Sequence, residues 1–311
     1  MHMAQKARRI TALLLFLLLA LSFTGCRGTI DWQGQRDRTA HYLNDQLADG
    51  TLDIAEGEWA LLGIQNSGIT PDADQKEAYY TSVRAKVKTK KGLLSETRYT
   101  EYARVSMGVR AVGENPEDVE GYNLLAPLDR VESVRKQGLN AAIYALIAAN
   151  YCGYTLSVEA EKGYLDDIRK AFEEEKNTEM GQALPDYAGM ALQALAYYKD
   201  DPEACRTADR IYERIETYVK ENIDMGTCEG NAQLILGLSA MGIDVTKEKR
   251  FMKDGQNLLD ALMTYAKGDG FTHLAGGDTN IIASQQSLMA LDALSLVKEG
   301  KMLLPPSADQ A

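Results

Sequence analysis

Seven polar side chains interrupt otherwise apolar segments of this chain, at comparable places near the start of each segment. They are Asn140, Asp186, Glu229, Asn231, Gln233, Gln285 and Gln286. Carboxylates and amides at a helix start can cap free backbone N–H groups. The same groups, gathered at one opening, would bind a polar or amphipathic ligand. Both interpretations stay open from the sequence, and Asp186 with Glu229 is the pair that could also serve as acid and base.

Other catalytic motifs do not occur in the sequence. With 3 His there is no visible Ser/His/Asp arrangement, and there is no Walker loop and no GxGxxG motif after a strand. We therefore expect no cofactor. The 45 acidic against 34 basic residues give a net charge of −11, which argues against nucleic acid as a partner. Apolar residues at 45% and charged residues at 25% are typical of a folded globular protein.

Six apolar segments with helical spacing position these side chains. They are rich in Ala, Leu and Gly and cover 57–67, 99–112, 139–152, 186–198, 229–241 and 283–297. Small residues on a helix allow close packing against neighbours. More polar, amphipathic segments lie between them, at 76–90, 159–176, 203–221 and 249–267. The stretch 118–134 is shorter and less regular, and strand patterns are almost missing.

The alternation of apolar and amphipathic segments predicts an α-hairpin repeat. A period of 40–54 residues with two helices per unit suits either an open solenoid or a closed ring. Helices that are apolar nearly all round must be buried on every side, and an open solenoid usually has polar capping repeats. The sequence therefore favours an all-α fold, a closed α/α toroid of about six helical hairpins over residues 41–300.

The N-terminus has the layout of a secretory signal peptide over residues 1–25. Lys6, Arg8 and Arg9 precede an uncharged Leu-rich stretch at 10–21, which is too short for a confident membrane span. The Gly-Cys pair that ends at Cys26 resembles a bacterial lipobox, although Phe23 stands where Leu is usual.

That resemblance implies cleavage before Cys26 and lipid on its thiol and amino group. The expected location is the outer face of a bacterial cytoplasmic membrane or the cell surface, with the membrane as a partner through the lipid anchor. Residues 26–40 would be a lipidated tether and 301–311 a C-terminal tail. Ordinary secretion with an unmodified Cys26 is the alternative.

Three stretches of the apolar segments carry a family resemblance. Residues 186–198, 228–244 and 270–292 resemble the α/α-toroid repeats of terpene cyclases and protein prenyltransferases. More specifically, they are similar to bacterial secreted prenyltransferase/squalene-oxidase repeat proteins, over roughly residues 46–299. The resemblance implies the toroid, and it says little about function because one scaffold serves many activities.

The chemistries of that family match only in part. Prenyltransferases bind zinc through Asp, Cys and His, which would be Asp224, Cys228 and His273, but three residues rather than one lie between the first two. No metal is therefore favoured. Class II cyclases use an Asp-x-Asp-Asp run, and only Asp166-Asp167 stands here, on a predicted outer helix.

The sequence thus favours a non-catalytic, surface-anchored module that binds an unknown small molecule or protein. An isoprenoid-acting cyclase or transferase is one alternative. A glycan-active α/α-barrel enzyme is the other, since such enzymes need two carboxylates about 5–10 Å apart. Apart from Cys26, three cysteines remain, and we expect Cys152 and Cys205 to be buried free thiols because their segments are apolar and helical.

Overall fold

A computed structural model describes residues 30–48, 57–69, 71, 73–173 and 183–307. The chain divides into two units, Met1–Asp31 and Trp32–Ala311. The predicted signal peptide and the predicted lipidation site Cys26 lie outside the described residues. Within the described part, twelve α-helices and a few short strands make the second unit predominantly helical, which confirms the all-α class.

The elements follow one another with short connections. The helices are α1 (Trp32–Ala48), α2 (Gly57–Asn66), α3 (Ala73–Lys90), α4 (Tyr99–Ala111), α5 (Val131–Lys136), α6 (Leu139–Cys152), α7 (Val158–Glu173), α8 (Leu184–Leu195), α9 (Pro202–Glu221), α10 (Cys228–Ala240), α11 (Leu258–Met263) and α12 (Ile281–Val297). The strands are β1 (Met252–Lys253), β2 (Gln256–Asn257), β3 (Ala266–Lys267), β4 (Gly270–Thr272) and β5 (Thr279–Asn280). Antiparallel pairing joins β1 to β2, and β4 to both β3 and β5.

The six even-numbered helices are the six apolar segments, and their predicted bounds are right to within three residues. They are buried almost throughout; in α10 every residue except Glu229 is buried. Each packs against the next even-numbered helix, from α2 through α4, α6, α8 and α10 to α12, and α12 packs against α2. We call these the apolar helices.

Amphipathic helices cover the apolar ones, as the sequence predicts. In α9 the buried positions include Ile211, Ile215 and Val219, four residues apart, so that one face of the helix is apolar. Helix α7 packs against α6 and α9, and its Asp166 and Asp167 pair with arginines on the outside of the protein. The acidic pair is therefore a solvated face, as predicted.

The prediction of an amphipathic helix over residues 249–267 is wrong. This stretch forms a 3₁₀ turn (Lys249–Phe251), the β1–β2 hairpin and the short helix α11. Asp254 and Gly255 both have positive φ, 51° and 76°, which is the backbone of a tight two-residue hairpin turn. A capping box between Asn257 and Asp260 then starts α11.

Two predicted boundaries also need correction. Residues 32–40, predicted as part of the tether, belong to α1, where Trp32 and Ala40 are buried. The predicted tail contributes to the fold, because Leu303 and Leu304 are buried and the Tyr197 hydroxyl donates to the Leu304 carbonyl at 2.8 Å. Both segments carry enough apolar surface to pack. No helix among the described residues is long and apolar enough to span a membrane.

The cysteines differ from expectation at one position. Cys152 and Cys228 are buried free thiols, whereas Cys205 is exposed. On α9 the neighbours Ala204 and Ala208 occupy the buried face, and Cys205 lies one residue out of that register. The apolar character of a segment does not determine whether a given residue lies on the buried or the exposed face of its helix.

Candidate functional site

A close approach between α8 and α10 brings two carboxylates together. A Cβ on Gly189 would overlap the carbonyl of Gln233, and a Cβ on Gly237 would overlap the carbonyl of Gly189, so these backbones touch. Asp186 lies one turn before Gly189, and Glu229 lies one turn before Gln233. The glycine contact therefore places both carboxylates side by side at the N-terminal ends of the two helices.

The electrostatics of Asp186 reflect this neighbour. Burial raises the pKa of Asp186 first, and the negative charge of Glu229 raises it further. Both effects disfavour the ionised carboxylate, because it loses water and faces a like charge. A carboxyl group with a raised pKa beside a second carboxylate is typical of functional sites.

Glu229 is paired with a histidine. Its Oε2 lies 2.8 Å from Nδ1 of His273, and the side chains are 16% and 54% exposed, respectively. The Cys228 N–H donates to the His273 carbonyl at 3.0 Å, which fixes the loop after β4 against the start of α10. A carboxylate on Nδ1 orients the ring and leaves Nε2 toward the outside.

Further accessible side chains recur at one position of the apolar helices. The sixth residue is Arg104 in α4, Tyr144 in α6 and Gln286 in α12, and each is partly accessible between buried neighbours. Trp59, the third residue of α2, is partly accessible as well. Its ring lies 5.5 Å from that of Tyr144, centroid to centroid, although α4 stands between α2 and α6 in the packing order. The two rings therefore meet across the first turns of α4.

A chain of amides links the last three apolar helices. Gln193 Nε2 donates to Gln233 Oε1, and Gln233 Nε2 donates to Gln286 Oε1, both at 2.9 Å. Tyr144 lies close to this chain. The pKa of Tyr144 is raised to about 12, chiefly by burial; the Arg104 charge and the Gln233 amide lower this pKa, and the Asp186 charge raises it. Tyr144 thus has Arg104 on one side and Asp186 on the other.

A cleft of about 570 Å³ opens beside Asp186. It is lined by Ala183, Asp186, Tyr218, Asn222, Asp224, Met225, Gly226 and Thr227. Asp224 is held firmly, because its Oδ1 accepts hydrogen bonds from Asn231 Nδ2 at 2.9 Å and from the Tyr265 hydroxyl at 2.7 Å. The volume suits a small molecule.

The structure separates the seven predicted polar residues into groups. Asp186, Glu229, Gln233 and Gln286 come together as described above. Asn231 and Gln285 are fully buried instead, and Asn231 serves to position Asp224. The second residue of α6, Asn140, is partly buried. The side-chain caps of α10 and α12 are Thr227 and Asn280, so capping does not account for Glu229 or Gln286.

The candidate zinc ligands do not come together. Cys228 Sγ contacts Ser287 Oγ at 3.0 Å, and His273 pairs with Glu229. Asp224 accepts hydrogen bonds from Asn231 and Tyr265. Among the described residues no group of three or more His, Cys, Asp and Glu side chains is arranged to hold a metal ion. Burial raises the pKa of the Cys228 thiol to about 12, so it is a poor thiolate donor.

Sequence reasoning missed Trp59, Arg104 and Tyr144. The available signal was their position: a lone aromatic or charged residue in the first two turns of a helix that is otherwise buried. No family model matches this chain, and no curated protein does.

Proposed function

We propose that this domain is a closed α/α toroid whose opening, at the N-terminal ends of the apolar helices, binds a small ligand. The cyclic packing order of the apolar helices, with α12 returning to α2, supports closure. Each apolar helix follows an odd-numbered helix in the chain, which gives six hairpins. The buried residues Leu303 and Leu304 cover the opposite ends of these helices, near Ile147 and Leu236, which leaves the N-terminal ends as the end proposed to be open.

One observation carries the binding function. Each apolar helix offers a partly accessible aromatic or polar side chain in its first two turns, while most of the helix is buried. These side chains are Trp59, Arg104, Tyr144, Asp186, Glu229 and Gln286. Burying polar groups costs free energy unless they are paired. Polar groups that converge on one opening are the usual form of a ligand site.

Native mass spectrometry tests this function. The protein is purified from cells in detergent without a metal-affinity step, and the spectrum is expected to contain an added mass of a small molecule. Asp186→Asn and Gln286→Leu should each reduce that mass fraction, and Asp167→Asn on the outside of α7 should not. A bound molecule that survives both site substitutions, or a bare chain, would contradict the proposal and direct the search to the outer surface.

We propose further that lipid on Cys26 holds the domain at the outer face of a bacterial membrane. The basic n-region, the apolar stretch and the Gly25-Cys26 pair support this assignment. In detergent phase separation the full chain should enter the detergent phase, and Cys26→Ser should move it to the aqueous phase. An unmodified mature N-terminus at Cys26 would contradict lipidation.

A second candidate function is an acid–base enzyme acting on a glycan. The contact of Glu229 with His273 favours it, since the imidazole orients the Glu229 carboxylate, and Asp186 with its raised pKa would serve as the acid and Glu229 as the base. Release of reducing ends from a polysaccharide panel, lost in both His273→Ala and Asp186→Asn, would support the enzyme. Unchanged polysaccharides under conditions in which the opening binds a ligand would exclude it.

A further inference from the structure

The last described residues of the chain lie across the C-terminal ends of the apolar helices. We call residues 302–307 the strap. A cavity of about 10 Å³ remains beneath the strap, between it and side chains of α6, α8, α10 and α12 and of the turn after α8. The lining residues are Ile147, Gln193, Tyr197, Leu236, Ala240, Ala293, Met302, Leu303 and Leu304. This space is about that of one water molecule, so the strap fits the surface closely.

Polar contacts hold the strap at defined atoms. The Tyr197 hydroxyl donates to the Leu304 carbonyl at 2.8 Å. Ser307 donates its N–H to the Asn150 carbonyl at 3.2 Å, and its Oγ accepts from Arg110 Nη2 at 3.0 Å. Asn150 lies in the last turn of α6, where carbonyls have no partner four residues on within the helix and accept from other segments. The strap is therefore fixed in register by its backbone as well as by its side chains.

The sequence of the strap suits this surface at each position. Leu303 and Leu304 are buried, whereas the two prolines at 305–306 are exposed. Proline has no N–H that would need a partner, and its fixed φ reduces the entropy lost when the segment is ordered. Gly153 leaves room for Ser307, because a Cβ on Gly153 would lie 2.9 Å from both Cβ and Oγ of that serine. The surface is thus shaped for Leu-Leu-Pro-Pro-Ser.

The strap is held more weakly than the helices that it covers. Its buried side chains are Leu303, Leu304 and Ser307, and the connection before it, residues 298–301, is exposed. Burial of two leucines and the hydrogen bonds at Tyr197 and Ser307 stabilise the bound strap, but ordering six residues costs conformational entropy of similar size. Segments with this balance open locally while the core of the domain stays folded.

We propose that the surface under the strap is a peptide-binding site, which residues 302–307 of the same chain occupy in this structure and which accepts the same segment of a second copy when the strap leaves. The ligand class is a peptide with two adjacent leucines followed by Pro-Pro-Ser. The inference is independent of the proposed ligand at the opening, because it concerns the opposite ends of the apolar helices.

A full-length variant with a weakened strap tests the site. Leu303→Ser and Leu304→Ser are combined, and a labelled synthetic peptide of residues 302–311 is titrated against the protein in detergent, with fluorescence anisotropy as the readout. The peptide should bind this double variant at least about tenfold more tightly than the unmodified chain, whose own strap competes at a high effective concentration. The same peptide with serine in place of both leucines should bind at least about tenfold more weakly.

A tyrosine pair locates the bound peptide. In the background of the double variant, Tyr197→Phe should weaken the peptide by about threefold or more, because the hydroxyl no longer donates to the peptide carbonyl. Tyr122→Phe, at an exposed tyrosine that does not line the cavity, is the matched control and should leave the affinity unchanged. Equal affinities in the two tyrosine variants would place the peptide elsewhere and overturn the assignment.

The remaining outcomes decide whether the strap can leave. A folded double variant that binds neither peptide, or an unmodified chain that binds the peptide as tightly as the variant, would contradict the proposal. Loss of the folded circular dichroism spectrum in the double variant would show that the strap is inseparable from the core, which also overturns it. In the unmodified chain, the amide of Ser307 should exchange with deuterium faster than amides in the middle of α6 and α10, and equal protection would exclude release of the strap.

Discussion

Gly189 of α8 and Gly237 of α10 face each other at backbone contact. Neither position has room for a Cβ: the carbonyl of Gln233 blocks the first, and the carbonyl of Gly189 blocks the second. This contact gives α8 and α10 the most extensive packing of any helix pair in the described part. It also sets the separation of Asp186 and Glu229, because Asp186 lies about one turn before Gly189 and Glu229 about one turn before Gln233, whose carbonyl Gly189 meets.

Gly189→Ala should therefore destabilise the protein by about 1–3 kcal/mol, because the added methyl must push two backbones apart. Urea denaturation followed by circular dichroism measures the loss. Gly57→Ala is the matched control, since its Cβ would meet the Tyr79 ring at an ordinary 3.6 Å and Ala favours helix. Equal stability of the two variants would show that α8 and α10 do not touch in this way.

Asp186→Asn should raise stability at neutral pH. Burial and Glu229 raise the pKa of Asp186 above 3.8, so the folded state favours the protonated form. That preference contributes stability at low pH, which is lost as the pH rises through the raised pKa. The melting temperature of the variant should exceed that of the unmodified protein at pH 7, and the two should converge below about pH 4. A lower melting temperature at pH 7 would mean that the ionised carboxylate is stabilised.

Sequence patterns predicted the helices well where the apolar composition and spacing of a segment alone determine that it is a buried or half-buried helix. The apolar helices were recognisable because Ala, Leu and Gly fill every face of segments such as α10. The amphipathic helix α9 followed from the spacing of Ile211, Ile215 and Val219. These features depend on local composition, so they need no knowledge of distant residues.

Features that depend on a turn or on contacts between distant residues could not be predicted from the sequence. The stretch 249–267 has apolar residues at helix-like spacing, but the Asp254-Gly255 turn divides it. The ring contact of Trp59 with Tyr144 joins residues 85 positions apart, and only the packing order of α2, α4 and α6 creates it. The sequence likewise placed Asn231 and Gln285 at the opening, because it does not specify which face of a helix turns inward.

Alkylation of the native protein should label Cys205 before the other two described cysteines. Cys205 is exposed, whereas Cys152 and Cys228 are buried and burial raises the pKa of each thiol to about 12. The thiolate is the reactive form, so iodoacetamide at pH 8 should modify Cys205 at least about tenfold faster. Peptide mass spectrometry measures the three rates, and equal labelling after denaturation is the control. Early labelling of Cys152 would indicate that its environment opens readily.

Arg36 of α1 and Asp292 of α12 form a buried ion pair that is sensitive to pH. Asp292 has no exposed surface, its carboxylate lies 3.6 Å from Arg36 Nε, and burial raises its pKa well above the usual range despite that cation. The other charge acting on it is Asp37, which raises the pKa as well. The protonated form therefore stabilises the fold at low pH, and this contribution is lost as the pH rises through the raised pKa.

Replacing Arg36 and replacing Asp292 should have opposite effects on the stability of the fold. Arg36→Met removes the cation that favours the ionised form of Asp292, so it should lower stability more at pH 7 than at pH 4, where Asp292 is protonated with or without Arg36. Asp292→Asn should be neutral or stabilising at pH 7, and in its background Arg36→Met should cost much less, because no buried charge remains. Urea denaturation of the four proteins at both pH values measures this cycle. Additive losses at pH 7 would mean that the two side chains act independently.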